Sequence, residues 1–332
     1  AFTASVLLVL CITIAGMNRQ LSHDREPAGS SLRVAAVQTC ISPWDNWNRK
    51  KFGNLAELMR HTDGALRDDP EFIIWSESAT LEEISFRAMV GEPDLFDKKL
   101  TEYVASIGRP LLTGEIGRVP VREGRFTRLY PQNNAVLING SGEVVQTYPK
   151  INLVPFGEWF PYEKWFPVVK RIASHFGGSD FVPGKRPELF TVKGFNFGAL
   201  VCYEGIFYRL CREYALMGAD FLVNITNDGW TDSYGGHYQH FSASVFRAVE
   251  NGLWVVRAGN DGVSAVIDPM GRVTATMQYL TRGHMSGTIY PEQNVKTIYS
   301  MLGDTVLDIS VLFMLALCVI TGVDLYKKRR KE

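Results

Sequence analysis

Three reactive side chains stand at the ends of short apolar runs far apart in the chain. Glu77 ends "FIIWSES", Lys150 ends "VVQTYPK" and Cys202 follows "GALV". Singly each has an ordinary reading: a cysteine after an apolar strand is most often an inert small hydrophobe, a glutamate can cap a following helix, and a lysine can be a solvated strand end. Together they cover one chemistry. A thiol nucleophile must lose its proton and have its thiolate stabilised, which a carboxylate base and an ammonium can do in concert. The ammonium can also donate to the oxyanion of a tetrahedral intermediate, the main electrostatic demand of acyl transfer.

These side chains need a scaffold that brings strand ends together. The runs at 32–40, 71–78, 110–117, 133–140, 197–204, 220–227 and 253–260 are short, apolar or β-branched, and end in polar residues, the pattern of buried strands. Stretches 48–66, 207–218 and 237–252 read as helices between them. Glycine turns in "INGSGEVV" and "IDPMGRVT" predict hairpins mixed with β-α alternation. The reading is one α/β domain over residues 32–299, without internal repeats. Ligands in open α/β sheets bind outside the carboxyl ends of strands, where the three residues lie.

The chain has 332 residues, 46% of them hydrophobic, enough for a substantial core and against disorder. Thirty-five basic residues balance thirty-five acidic ones, so no global field points to nucleic acid. The stretch 305–323 is apolar with a single acid, Asp308, and precedes the basic "DLYKKRRKE" at 324–332. That pattern predicts a transmembrane helix with a basic cytoplasmic tail; a core helix with a solvated tail is the alternative. Residues 1–17 are apolar without a charged leader and read as part of a second membrane helix, joined by a polar linker at 18–31. The domain then lies on the extracytoplasmic side. Five cysteines without a CxxC pair indicate neither a disulfide framework nor a zinc knuckle.

The order Glu, Lys, Cys, with "VAAVQ" near the start, "PKINLVPFGEWFP" around the lysine, "CYEGIF" at the nucleophile and "TNDGW" beyond, resembles the nitrilase (carbon-nitrogen hydrolase) superfamily, and within it the apolipoprotein N-acyltransferase branch. The resemblance covers about residues 32–290. It implies a four-layer α-β-β-α sandwich flanked by transmembrane helices, with Glu77 as general base, Lys150 as transition-state stabiliser and Cys202 as acylated nucleophile. It further implies Glu158 as a supporting second glutamate, Tyr203 and Glu204 as pocket residues beside the nucleophile, and Trp44 of "ISPWDNW" on a loop over the pocket. Thr231-Asp232 departs from the family's usual Phe-Gly after "TNDGW".

In that branch an acyl chain passes from phospholipid to the cysteine and then to the N-terminal amine of an S-diacylglyceryl-cysteine lipoprotein. The location implied is the bacterial cytoplasmic membrane, with the catalytic domain outside. The scheme needs no cofactor and no metal. The branch carries several more N-terminal helices than this chain. Two other readings stay open: a membrane-tethered amidase using the same three residues with water as acceptor, and a nitrilase-fold scaffold without catalysis. The loop 152–169, with Phe156, Trp159, Phe160, Trp165 and Phe166, is expected as an interfacial lid, although aromatics serve buried clusters as well. His237 and His240 share metal-ligand spacing but lack further ligands nearby, so a polar helix start is the expected reading.

Overall fold

The computed structural model describes residues 16, 29–42, 45–161, 180–229, 233–291 and 297–329, with only the backbone for Val306, Asp324, Leu325 and 327–329. The expected membrane helix at 1–17 and most of the linker at 18–31 therefore lie outside the described residues.

The apolar runs form two six-stranded sheets of similar plan. In the first, β1 (Leu32–Gln38), β2 (Phe72–Trp75) and β3 (Leu111–Glu123) are parallel. Antiparallel strands flank them: β4 (Phe126–Ile138) and β5 (Val144–Pro149) beyond β3, and β12 (Gly283–Ile289) beside β1. The second sheet has β7 (Phe195–Val201), β8 (Phe221–Thr226) and β9 (Trp254–Gly259) parallel at its centre. Its antiparallel flanks are β6 (Leu189–Val192) on one side, and β10 (Ser264–Ile267) and β11 (Val273–Met277) on the other. Strands β2, β8, β9 and β10 are buried along their whole length, which is why they read as continuous apolar runs rather than alternating ones.

Helices cover the outer face of each sheet. On the first lie α1 (Trp47–Ala65) and α3 (Leu95–Ile107), with the short α2 (Ile84–Val90) between them in sequence. On the second lie α4 (Tyr208–Met217) and α5 (Tyr234–Asn251). The ends of these helices follow from side-chain chemistry. Asn46 caps α1 by accepting from the Arg49 amide, an Asp94–Asp97 capping box starts α3, and Gly108 ends it in the left-handed region at φ 63°.

Three apolar cores separate the layers. The central core joins the two sheets: the Phe197 ring stacks on Phe190 at 5.1 Å and Phe221 at 5.2 Å, and meets Phe72 of the opposite sheet at 5.4 Å. Leu58 of α1 and Phe96, Leu100 and Val104 of α3 pack on Ile73, Trp75 and Val136. Leu210, Cys211 and Tyr214 of α4 and Ala248 of α5 pack on Leu200, Leu222 and Val255. The arrangement is helices, sheet, sheet, helices.

The expected helices at 48–66, 207–218 and 237–252 are α1, α4 and α5, displaced by a few residues at most. Helix α3 was not anticipated, although Phe96, Leu100 and Val104 carry its helical period. Strands β3 and β4 are much longer than their apolar cores, because their polar outer halves pair with each other from Gly117↔Gln132 to Glu123↔Phe126.

Beyond α6 (Ile298–Leu302), the C-terminal α7 runs Thr305–Arg329, over the expected stretch 305–323. It is exposed along its apolar length, with Leu312, Phe313 and Val319 each more than half exposed. Among the described residues no helix is long and apolar enough to cross a membrane, the side chains of Val306, Asp324 and Leu325 on α7 lying outside the description. The described cysteines, Cys40, Cys202, Cys211 and Cys318, are all free thiols.

Because Phe197 sits between rings from both sheets, Phe197→Ala is expected to cost about 3–5 kcal/mol. Urea denaturation of the full chain measures it, and a loss below about 1 kcal/mol would mean that this core collapses around the vacancy.

Candidate functional site

The three reactive residues converge where strands end. The chain leaves β2 through Glu77 and turns at Ser78, whose φ is 50°. It leaves β7 through Cys202, also in the left-handed region at φ 51°, into a short 3-10 turn over Cys202–Ile206. Non-glycine residues there carry backbone strain, which persists only where surrounding structure enforces it. At Glu77 the enforcing neighbour is Gly114 of β3. A Cβ on Gly114 would lie 2.4 Å from the Ser78 amide nitrogen and 2.7 Å from the Glu77 Cα, so only glycine lets β3 lie against this turn.

Lys150, just past β5, is 1% exposed. Its Nζ lies 2.9 Å from Glu158 Oε1 and 3.5 Å from Glu77 Oε1. Burial opposes the charge, but Glu77 first and then Glu158 outweigh it and hold the lysine protonated beyond its ordinary range. Cys202 responds in the opposite sense. Burial first, then the Glu77 charge, push its thiol well above the ordinary range, against the pull of Lys150 and a hydrogen bond with Thr226. At rest Cys202 is therefore a protonated thiol beside a carboxylate.

Glu158 belongs to this cluster. Its Oε1 accepts from Lys150 and from Asn133 Nδ2 at 2.8 Å, and its Oε2 accepts from the Val154 amide at 2.8 Å. Tyr203 lines the adjacent cleft and packs edge-on against Phe207 at 5.0 Å. Glu204 is fully buried and is not among the residues lining this cleft. Its Oε1 accepts from Tyr148 Oη, Ile151 N and Asn152 N, and its Oε2 from Val201 N. It thus ties the turn after Lys150 to the turn carrying Cys202, a positioning function. Trp44 lies outside the described residues.

Sequence reasoning missed two supports. Asn133 on β4 donates through one nitrogen toward both Glu77 Oε1 and Glu158 Oε1, each at 2.8 Å, and so holds the two acids at a fixed separation. The Asn227 amide donates to Glu77 Oε2 at 2.8 Å, which gives the "TNDGW" segment a direct part in fixing the first acid; residues 230–232 lie outside the description. Neither has a local sequence signal, since one is an interior strand position and the other a backbone group.

The histidine pair is likewise explained by tertiary contacts. His240 Nδ1 lies 2.8 Å from Asp228 Oδ1 and its Nε2 3.1 Å from the Cys202 carbonyl. Asp228 also receives Arg257 Nη2 at 2.7 Å. Burial works against its charge, but Arg257, His237 and His240 hold the carboxyl well below the usual carboxylate range. The result is a buried network beneath the nucleophile's turn. Among the described residues no group of three or more possible metal ligands occurs.

Beside the cluster opens a cleft of about 740 Å³, lined mainly by apolar and aromatic residues, including Ile151, Leu153, Trp159, Phe160, Phe181 and Tyr203. Ile151 and Tyr203 follow Lys150 and Cys202 in sequence, so the cleft adjoins both. Within the expected lid, Phe156 and Trp159 are exposed while Phe160 is buried; Trp165 and Phe166 lie outside the described residues. A smaller cavity of about 100 Å³ is lined by Ser78, Asn227 and Asn260 among others.

Two facing sheets with an acid, a lysine and a thiol gathered at their strand ends define a nitrilase-like fold. A mutant of the Nesterenkonia AN1 amidase from the nitrilase superfamily shares it, with a TM-score of 0.56 at 22% identity over 80% of this chain and 93% of that one. The carbon-nitrogen hydrolase family model matches residues 33–301, and the chain belongs to that family. Among curated proteins it is similar to the apolipoprotein N-acyltransferase of Geobacter metallireducens, 33% identical over 90% of this chain and 55% of the relative. The protein of the same name from Borreliella burgdorferi is 29% identical over 86% and 54%, and apolipoprotein N-acyltransferase 2 of Treponema denticola 30% over 99% and 61%. The chain thus spans just over half the length of these relatives.

The charges around the thiol make its reactivity a test of the geometry. Glu77→Gln removes a charge that raises the thiol pKa, so alkylation of Cys202 by iodoacetamide at pH 8 should speed up. Lys150→Met removes a charge that lowers it, so alkylation should slow and need more alkaline pH. Parallel changes in both variants would show that Cys202 does not feel the two charges in opposite senses.

Proposed function

We propose that this chain is the catalytic part of an apolipoprotein N-acyltransferase, moving an acyl chain from phospholipid to the N-terminal amine of a diacylglyceryl-modified lipoprotein. The observation that carries the reading is the Glu77–Lys150–Glu158 cluster at Cys202, opening beside an apolar cleft. The names of the curated relatives support it. A small-amide substrate has no need of a cleft this large and apolar.

In the first half-reaction Glu77 takes the Sγ proton as sulfur bonds to the ester carbonyl carbon of the phospholipid. The oxyanion that forms is met by the Lys150 ammonium. Collapse breaks the carbon–oxygen ester bond, Glu77 returns its proton to the departing alkoxide, and a lysophospholipid leaves an acyl thioester on Cys202. In the second half the amine nitrogen attacks the thioester carbonyl, Glu77 accepts the nitrogen's proton, and the Cys202 thiolate departs and is reprotonated. Glu158 and Asn133 fix Lys150 and Glu77 throughout and exchange no proton.

Membrane placement belongs to the same reading. The stretch 305–323 lies on α7, whose exposed apolar side chains face outward on all sides, and a helix apolar all round is normally buried in protein or lipid. We assign it as the C-terminal anchor in the cytoplasmic membrane, with 324–332 as the cytoplasmic tail, the domain outside, and residues 1–17 as part of a second anchor.

Incubation with phospholipid in detergent followed by mass analysis of the Cys202 peptide is the direct measurement. An acyl adduct is expected on the wild type and not on Cys202→Ala, and adding a diacylglyceryl-cysteine peptide should discharge it to the amine. Release of free fatty acid at the same rate with and without the peptide would instead make water the acceptor and the protein a hydrolase.

A further inference from the structure

The outer halves of β3 and β4 form an arm with no counterpart among the described residues of the second sheet. From Arg118↔Pro131 outward these strands pair only with each other, and every residue from Arg122 to Leu129 is exposed. A two-stranded ribbon alone in water is marginally stable, so its surface matters. Phe126 is 78% exposed and Leu129 45%. Residues 118–130 hold four arginines, Arg118, Arg122, Arg125 and Arg128, against the single acid Glu123, in a chain whose charges balance as a whole. Arg118 pairs with Glu83 at 2.7 Å, and Glu123 is engaged by the Tyr130 hydroxyl. Arg128 lies over the Tyr130 ring, and among the described residues Arg122, Arg125 and Arg128 have no ion-pair partner.

The arm projects from the catalytic end of the sheet. Tyr130 lines the apolar cleft, and two residues beyond Pro131 the same strand supplies Asn133 to Glu77 and Glu158. We infer that the arm docks the domain on a bilayer bearing anionic phospholipid. The three arginines pair with headgroup phosphates, and Phe126 and Leu129 enter the interface, so that the mouth of the cleft faces the lipid. Arginine suits this task because its planar fork matches phosphate oxygens, and exposed apolar residues among cations mark a membrane surface rather than a purely charged partner.

Reconstitution of the full chain through α7 into vesicles of phosphatidylcholine, and of phosphatidylcholine with phosphatidylglycerol at roughly 7:3, tests the inference at low salt, with arm docking read as acrylamide protection of a tryptophan placed by Phe126→Trp, taken as the difference from the same chain with Phe126. The tryptophan should be protected on anionic vesicles, and adding Arg122→Gln, Arg125→Gln, Arg128→Gln should remove most of that protection with little change on neutral vesicles. The triple Arg→Lys variant should recover most of the loss. Equal protection with and without the Gln changes on anionic vesicles overturns the inference, as does an equal loss on neutral vesicles or a change in self-association accounting for the loss. Acyl-adduct formation from donor in detergent, which does not depend on docking, reports separately on acyl transfer and should persist in the Gln variant.

Discussion

A buried ammonium cannot stand alone, and most of this site follows from how Lys150 is balanced. Desolvation disfavours its charge, so two carboxylates have to lie against it. Two carboxylates near one cation repel each other unless something fixes them, and Asn133 does so by donating to both. Glu77 is held on its second oxygen by the Asn227 amide and Glu158 by the Val154 amide. Each acid thus keeps a defined lone pair toward the lysine, and the charge beside Cys202 is set by groups that cannot reorient freely. Burial, and then the Glu77 charge, hold the neighbouring Cys202 thiol protonated at rest against the pull of Lys150.

The fold supplies this balance from four separate strand ends. Both sheets have three parallel strands at their centres with antiparallel strands outside, and the central aromatic core sets the sheets face to face. Glu77 leaves the first sheet at β2 and Lys150 at β5, while Cys202 leaves the second at β7 and Asn227 at β8. Glu204 then joins the halves, because one carboxylate accepts from the amides after Lys150 and from the Val201 amide before the nucleophile. Asp228, Arg257 and His240 support the same turn from below. Removing one partner from such a buried charged network costs about 3–5 kcal/mol, so the nucleophile's position and the fold's stability are coupled.

Much of this was legible in the chain itself. Fully buried strands announced themselves as unbroken apolar runs, and the polar residue after each run marked where chemistry could sit. The long polar extensions of β3 and β4 were not legible, because their pairing is with each other rather than with a core, and alternation there is masked by arginines. The tie that Glu204 makes between two turns was not legible either. Adjacency to the nucleophile in sequence suited a pocket residue, but a 3-10 turn directs successive side chains to different sides, and this one points into the protein.

What the sequence by itself determined are the identities: an acid, a lysine and a thiol each following a buried strand, the α/β class, and two apolar stretches toward the chain's ends. Those are local properties, written in composition and period. Only the tertiary structure decided which acid lies near which oxygen, that an interior strand asparagine bridges the two glutamates, and that the histidine pair lies against a buried aspartate. Those outcomes depend on distances between residues of different elements, separated by 12 positions for Asp228 and His240 and by 150 for Glu77 and Asn227, and no local pattern carries a distance of that kind.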